Sequence, residues 1–456
     1  MYAPALRLSA AVSLVLLLGC SSDQRLSPSA TAEPEKTRRV GTGLTFAADT
    51  LVEATPRRVA GARFDDERVW GGEDDWEPFV AVDPDRGHVY QFTTRWVDGL
   101  YRILFRRSLD GGATWEADRQ LFPSGIGQAD PYAKVDDDGT LYAVWLENWD
   151  SVVARSDDFG ESWTTPVAAN GTFAWSDYPS LAVSDSGQDV YVAFNLGDSY
   201  FAASHDFGET FASPVKTNSD FRYWWHGGGA VAPDGDVYFG VTSMQYNALG
   251  PVDVYVIRSR DGGQSWQEVQ IETSAETPDC EWAPGCEQGF LLPTVGLAVD
   301  VAGQVLVAYN AGPFAGEPQQ IWTRTSLDGG ETWSGRKRLS MPSLSANNAF
   351  PAVAAGPAAG DFRVVWQGDV AGDTDAWNTW YRRTTDGGMT WGPPSRLSNL
   401  ATGAPYKSPK GYAFPYGDYM AIAVDDAGVD HVIWGEGISW LGPGGTWYTR
   451  GSAAAD

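Results

Sequence analysis

Lysine is scarce, six residues in 456, and 59 acidic side chains face only 32 Lys and Arg, leaving a formal charge of −27. A chain so acidic repels a phosphate backbone, which excludes nucleic-acid binding, and it is equally unsuited to an anionic membrane surface. The excess carboxylate is either a solubility device or a source of calcium ligands, and composition alone does not separate the two. Cysteine is almost missing: Cys20, Cys280 and Cys286 are all there is. No apolar run is long enough to cross a bilayer, since Leu8 to Leu18 is the longest and a span needs about 20 residues.

That short run, preceded by Arg7 and followed by Gly19-Cys20, reads as an export signal over residues 1–20. Residues 21–42 are rich in Ser, Pro, Ala and Glu without apolar periodicity, as a flexible tether is, and the rest, 43–456, is assigned to one domain. In an exported chain the close pair Cys280 and Cys286, separated by Glu-Trp-Ala-Pro-Gly, most simply forms one disulfide, because a metal site needs more ligands than this loop offers.

What the chain has in abundance is a repeat of Ser/Thr-x-Asp-x-Gly-x-Ser/Thr-Trp. Its aspartates are Asp110, Asp158, Asp206, Asp261, Asp328 and Asp386, spaced 48 to 67 residues apart, and the third copy ends in Phe211 instead of Trp. A period of this size marks stacked supersecondary units. In each copy the Asp carboxylate is placed to accept backbone N–H groups and the Gly to take positive φ. The aromatic is expected to pack across the turn onto its own unit. A catalytic group is needed once and a folding device in every repeat, so the six aspartates are read as structural.

Around each copy stand short apolar strands punctuated by Gly and Asp, four per unit. First strands open near Pro78, Pro131, Pro179, Gly227, Val295, Pro351 and Met420, giving seven units for six copies. The seventh stops after its third strand, Thr446 to Arg450. A bare sheet edge is an aggregation hazard. A segment within about residues 44–62, containing Leu44-Thr-Phe46 and Arg58-Val-Ala60, is therefore expected to supply the missing strand. The expected fold is all-β, a seven-bladed β-propeller of four-stranded antiparallel blades closed by an N-terminal strand.

These turns are the Asp boxes of sialidase-like propellers, which the chain resembles over about residues 77–451, and Leu17-Leu-Gly-Cys20 resembles a bacterial lipobox. The second resemblance implies lipidation at Cys20 and attachment to the cell envelope, with no other membrane contact. The first implies a ligand site on the face opposite the boxes, with carbohydrate as the expected partner. Aligning first strands brings Glu77, Asp130, Tyr178, His226, Thr294, Phe350 and Tyr419 to one height at that mouth, with Trp76, Asp177, Trp225 and Asp418 one step earlier. Aromatic rings stack on sugar faces, and carboxylates accept sugar hydroxyls.

The sialidase pattern of three convergent arginines is not met, since only Arg95 and Arg222 fall near the mouth. Two other chemistries remain. A glycoside hydrolase would pair Glu77 with Asp130, and a polysaccharide lyase would use His226 or Tyr419 as base with Arg222 on a uronate. Trp76, Arg95, Asp177, Tyr178, Arg222, Trp225 and Asp418 are the expected substrate contacts. Neither chemistry requires a cofactor, although calcium stays open. The competing class is a non-catalytic scaffold for protein interaction or assembly. The run Tyr223-Trp-Trp-His-Gly-Gly-Gly229 breaks the repeat consensus, either for close approach of a ligand or backbone or to accommodate its two Trp side chains.

Overall fold

A computed structural model describes residues 62–65, 68–70, 75–123, 125–245, 250–276, 294–341, 345, 347–370, 373–398, 420–437 and 444–453. Cys20, Cys280, Cys286, Asp418 and Tyr419 lie outside the described residues, as do the proposed signal and tether. Seven antiparallel sheets form the blades of a propeller, and there is no helix among the described residues.

Blade 1 comprises Asp75–Val82, Val89–Val97, Leu100–Ser108 and Arg119–Gln120, in that order from the channel outward. Blades 2 to 6 repeat the order, with first strands Gln128–Val135, Asp177–Val183, Tyr223–Val231, Val295–Val299 and Asn348–Ala355. Blade 7 opens with Met420–Val424. First strands of successive blades pack side by side, blade 7 against blade 1 included, so the ring is closed. Second strands such as Val190–Leu196 are buried on both faces because each blade is covered by two neighbours, which is why they read as continuous apolar runs.

The closing strand lies later than the sequence suggests. Ala62–Phe64 pairs with Gly451 to Ala453, and Arg68–Trp70 pairs with Thr446 to Tyr448. The expected window of 44–62 meets this strand only at Ala62, and the rest of it falls outside the described residues. The physical reason is in Phe64 and Trp70, both buried, which fill the seams beside blade 7. Trp70 also donates its indole N–H to Asp118 of blade 1 at 2.8 Å, fastening the closure to the next blade.

The six Asp turns share one wiring. In the first, Ser108 Oγ donates to Asp110 Oδ1 (2.7 Å), and Asp110 accepts the Thr114 N–H (2.8 Å) and hydroxyl (2.7 Å). Ser108 Oγ itself accepts the N–H of Gly112, whose φ of 81° suits glycine. The backbone and hydroxyl of Thr114, with Ser108, hold Asp110 down to about 2. Its folded value lies below the unfolded one, so the stabilisation is present above the ordinary carboxylate range and fades as pH falls toward that value.

The aromatic of the turn does not fold onto its own blade alone, as the sequence suggests; it bridges to the preceding one. Trp163 of blade 2 meets Phe105 of blade 1 edge-on at 5.7 Å, Trp266 of blade 4 stacks on Phe201 of blade 3 at 4.2 Å, and Trp115 of blade 1 meets Tyr448 of blade 7 at 5.2 Å. Third-strand arginines reach forward in turn. Arg107 binds the Phe159 carbonyl (2.8 Å) and Glu161 (2.6 Å) of blade 2, Arg155 the Phe207 carbonyl (2.9 Å) of blade 3, and Arg450 the Gly111 carbonyl of blade 1. These turns are thus joints between neighbours, and Arg107, Arg155 and Arg450 are used here and not at the mouth.

Candidate functional site

Strand direction places the Asp turns on one face of the ring and the starts of the first strands on the other. On that second face four first strands carry the same bulge. Glu77, Asp130, Tyr178 and Phe350 all have φ between 51° and 55°, each stands before a proline, and the ladder skips there. Four non-glycine residues in the left-handed region at one height are a shared device, costly in strain and sited at a mouth.

Blade 4 departs from this pattern. Its bulge falls at Gly227 and Gly228, so His226 stays in the ladder opposite Val241. The expectation that His226 stands at the rim beside Glu77 is therefore corrected: its ring lies between blades 3 and 4, with Nε2 at 2.9 Å from Ser199 Oγ and the edge of Phe201 at 5.3 Å. It is fully buried. The three glycines explain the slip. A side chain at Gly227 would strike the backbone of Val295, at Gly228 the Tyr132 hydroxyl 2.6 Å away, and at Gly229 the ring of Phe239. Of the two readings of this run, the close neighbour is protein: the Val295 backbone and two aromatic side chains.

Burial lowers the His226 imidazole to about 3. Below the ordinary value of about 6.5 the unfolded chain takes up a proton that the folded protein refuses, so stability falls across the interval between them. His226→Asn is expected to flatten the loss of thermal midpoint between about pH 7 and pH 4. An unchanged slope would contradict this.

The remaining candidates form a chain across blades 1 to 4. Glu77 Oε2 accepts the Thr94 hydroxyl (2.7 Å) and the Asp130 backbone N–H (3.0 Å), so this carboxylate ties one bulge to the next. Asp177 lies 3.4 Å from the hydroxyl of Tyr223, a residue that sequence reasoning did not single out as functional. Burial first, then the charge of Asp177 and more weakly that of Asp130, push the Tyr223 phenol well above its ordinary value, with the Asn195 side chain beside it. Tyr178 meets Trp225 edge-to-face at 4.7 Å. Trp76 lies in the first strand of blade 1, opposite Thr94.

The two arginines are committed elsewhere. Arg95 is buried in an ion pair with Asp75, reinforced by Nη2 to Asp75 at 2.8 Å and by Asp118 at 3.5 Å, which makes it part of the closing joint around Trp70. Arg222 donates to Ser243 Oγ and its carbonyl, each at 2.7 Å, and pairs with Asp253 at 3.3 Å. Gln367 bonds Thr379, Asp369 bonds Asn347, and Trp377 is buried, so these second-to-third strand residues of blade 6 are structural. Among the described residues no group of three or more His, Cys, Asp or Glu is arranged to hold a metal ion.

Exposed aromatics gather on the same face. Trp96, Trp149 and Trp175 are each more than a third exposed, and Phe221 is 85% exposed. Trp149 occupies the two-residue hairpin between Glu147 and Asp150, where Asn148 and Trp149 have φ of 53° and 70°. Such a turn asks for Asn-Gly or Asp-Gly. Blade 1 obeys with Asp98-Gly99, φ 50° and 83°. Blade 2 puts a tryptophan where blade 1 has glycine. The Trp149 carbonyl accepts the Ser176 N–H (2.6 Å) and hydroxyl (2.9 Å), which holds the neighbouring Trp175 loop against it.

No protein-family model matches this chain, and no curated protein matches it. Solved structures do. A protein of unknown function from Dyadobacter fermentans is 14% identical with a TM-score of 0.52, the match covering 87% of this chain and all of that one. A PL25 ulvan lyase, bound to -[GlcA(1-4)Rha3S]-, is 14% identical with a TM-score of 0.52, over 86% of this chain and 96% of its own. A Trypanosoma rangeli sialidase in complex with the inhibitor DANA gives 12% identity and a TM-score of 0.43, over 87% of this chain and 58% of that one. At such identities the likeness is one of fold alone, a β-propeller.

Proposed function

We propose that the face opposite the Asp turns binds carbohydrate, with Trp149 and Trp175 as stacking platforms and the carboxylates of Asp130 and Asp177 as acceptors for sugar hydroxyls. In this reading the propeller is exported and held at the cell envelope by lipid on Cys20. The observation that carries it is Trp149, an exposed indole kept in a turn position that glycine would occupy without strain. Strain at an exposed aromatic is retained where the side chain does something that glycine cannot.

Recognition is favoured over cleavage by the state of the cluster. The Tyr223 phenol beside Asp177 holds its proton throughout the neutral range, and so serves as a fixed donor. Hydrolysis through Glu77 and Asp130 would require Glu77 to give up its hydrogen bonds to Thr94 and the Asp130 backbone.

A glycan array probed with the soluble chain tests the reading, followed by titration of any bound glycan against Trp149→Gly. The substitution is expected to raise the denaturation midpoint, since it removes about 1 kcal/mol of turn strain, while glycan affinity falls about tenfold or more. Loss of stability together with unchanged affinity would overturn it. Release of cut glycan by the wild type but not by Asp130→Asn would move the assignment from binding to hydrolysis.

A further inference from the structure

Three exposed indoles stand on the tops of neighbouring blades, in loops that are hydrogen-bonded into one strip. Trp96 is next to last in the second strand of blade 1 and packs against Tyr101 across the hairpin, ring centroids 4.6 Å apart. Arg102 of that hairpin donates to the Ile126 carbonyl at 3.2 Å, in the loop entering blade 2. The following residue, Gly127, accepts the Asn148 N–H at 3.0 Å, which seats the Trp149 hairpin on the same loop. Trp149 in turn accepts the Ser176 N–H, next to Trp175 in the loop entering blade 3. Trp96, Ile126, Trp149 and Trp175 are each more than a third exposed. Between them the ground is bare: a Cβ at Gly99, Gly125 or Gly127 would meet nothing within 4 Å.

Two features of this strip narrow what lies on it. The first is length. Trp96 and Trp149 top adjacent sheets, which pack about 10 Å apart, farther than one sugar ring extends, so a single ligand reaches both only as a chain. The mouth, by contrast, offers little to a chain end: Asp130, Asp177 and Tyr178 are each less than a tenth exposed, enough to touch a passing hydroxyl but not to enclose a terminal ring. The second is charge. Among the described residues of the strip the charged groups at the surface are Arg102 against Asp98, Glu147 and Asp150. Uronate or sulfate groups would meet like charge there, on a chain whose net charge is already −27.

We propose that the ligand of this face is an uncharged polysaccharide bound along its length, its sugar rings stacked on Trp96, Trp149 and Trp175 and its chain crossing blades 1 to 3. This form and charge of ligand presuppose the carbohydrate reading of the face. Aromatic platforms on separate blades act as linked weak sites, so affinity accumulates with each one engaged.

Affinity electrophoresis tests it, with the soluble chain run through gels containing galactomannan, xyloglucan or mixed-linkage glucan and, as acidic comparisons, polygalacturonate or chondroitin sulfate. Retardation by a neutral polymer and not by the acidic ones is expected. Oligosaccharides cut from that polymer, titrated by calorimetry, should bind about a hundredfold more tightly as hexasaccharide than as disaccharide. Trp96→Ala is expected to cost the hexasaccharide about tenfold and the disaccharide far less, because Trp149 and Trp175 still hold a short ligand. Far-ultraviolet and unfolding profiles report whether the variant is intact; should it lose its fold with the Tyr101 contact, Trp175→Ala makes the same comparison. Equal affinity for the two lengths, equal loss on both, or tighter binding of an acidic polymer would overturn the proposal and leave the face a carbohydrate site. Retardation by none of the polymers would remove the carbohydrate reading along with it.

Discussion

Gly227→Ala is expected to prevent the ring from assembling, or to lower its stability by about 3 kcal/mol or more. The added methyl would land on the Val295 carbonyl oxygen, with the carbonyl carbon 2.8 Å away and the Val295 side chain at 3.2 Å. The obstacle is main chain in the first strand of blade 5, which cannot turn aside as a flexible side chain does. Relief would require blades 4 and 5 to separate at the axis, where every other first strand is also in contact. Urea midpoints measure the effect, and Gly125→Ala is the control, because its methyl meets nothing within 4 Å and its φ is not positive. Equal midpoints for the two substitutions would show that the blades give way more easily than their packing implies.

Asp430→Ala is expected to be nearly as damaging, at about 3–5 kcal/mol. Arg363 of blade 6 and Asp430 of blade 7 are both wholly buried, joined at 2.7 Å, and the Tyr381 hydroxyl donates to the other Asp430 oxygen at 2.6 Å. Removing the carboxylate strands a guanidinium in the seam, with Asp361 at 2.7 Å as its remaining ion-pair partner. The double variant Arg363→Met, Asp430→Leu should recover much of the loss, since apolar pairs of similar size commonly replace buried ion pairs without penalty. Asp361 would not be abandoned by that change, because Arg383 also holds it, at 2.8 Å. A double variant no more stable than Asp430→Ala would place the cost in packing and not in charge.

The architecture was legible because its device is repeated. Six copies of one Asp turn fix the unit, and counting first strands against turns gives both the seventh blade and its need for an outside strand. Where the reading missed, the determinant was a contact between blades, which no single repeat displays. The aromatic of each turn belongs to a seam with the preceding blade, as Trp163 on Phe105 does. The closing strand is chosen by Phe64 and Trp70, whose ladder partners Gly451 and Thr446 are nearly 400 residues away in the sequence.

The candidate site was legible in position but not in detail. Alignment of the first strands grouped Glu77, Asp130, Tyr178 and Phe350, which share one backbone conformation. The same counting misplaced His226, because Gly227 to Gly229 let the bulge move one residue along without changing the length of the strand. Tyr223 enters the candidate site only through its distance to Asp177, and spacing carries no distance across blades. Trp149 carried a usable signal all the same: a tryptophan in the slot of a tight hairpin where the previous blade has Gly99.

Thr446 donates its hydroxyl to the Trp70 carbonyl across 376 residues of sequence, at 3.0 Å. A chain emerging from a ribosome or threading through an export channel makes Trp70 early and Thr446 late, so the lock cannot engage until nearly all seven sheets have been delivered. Until then the early strand Arg68–Trp70 lacks its partner strand. Closure of the ring is therefore the last step of assembly that such a fastening allows, whichever blades have formed before it.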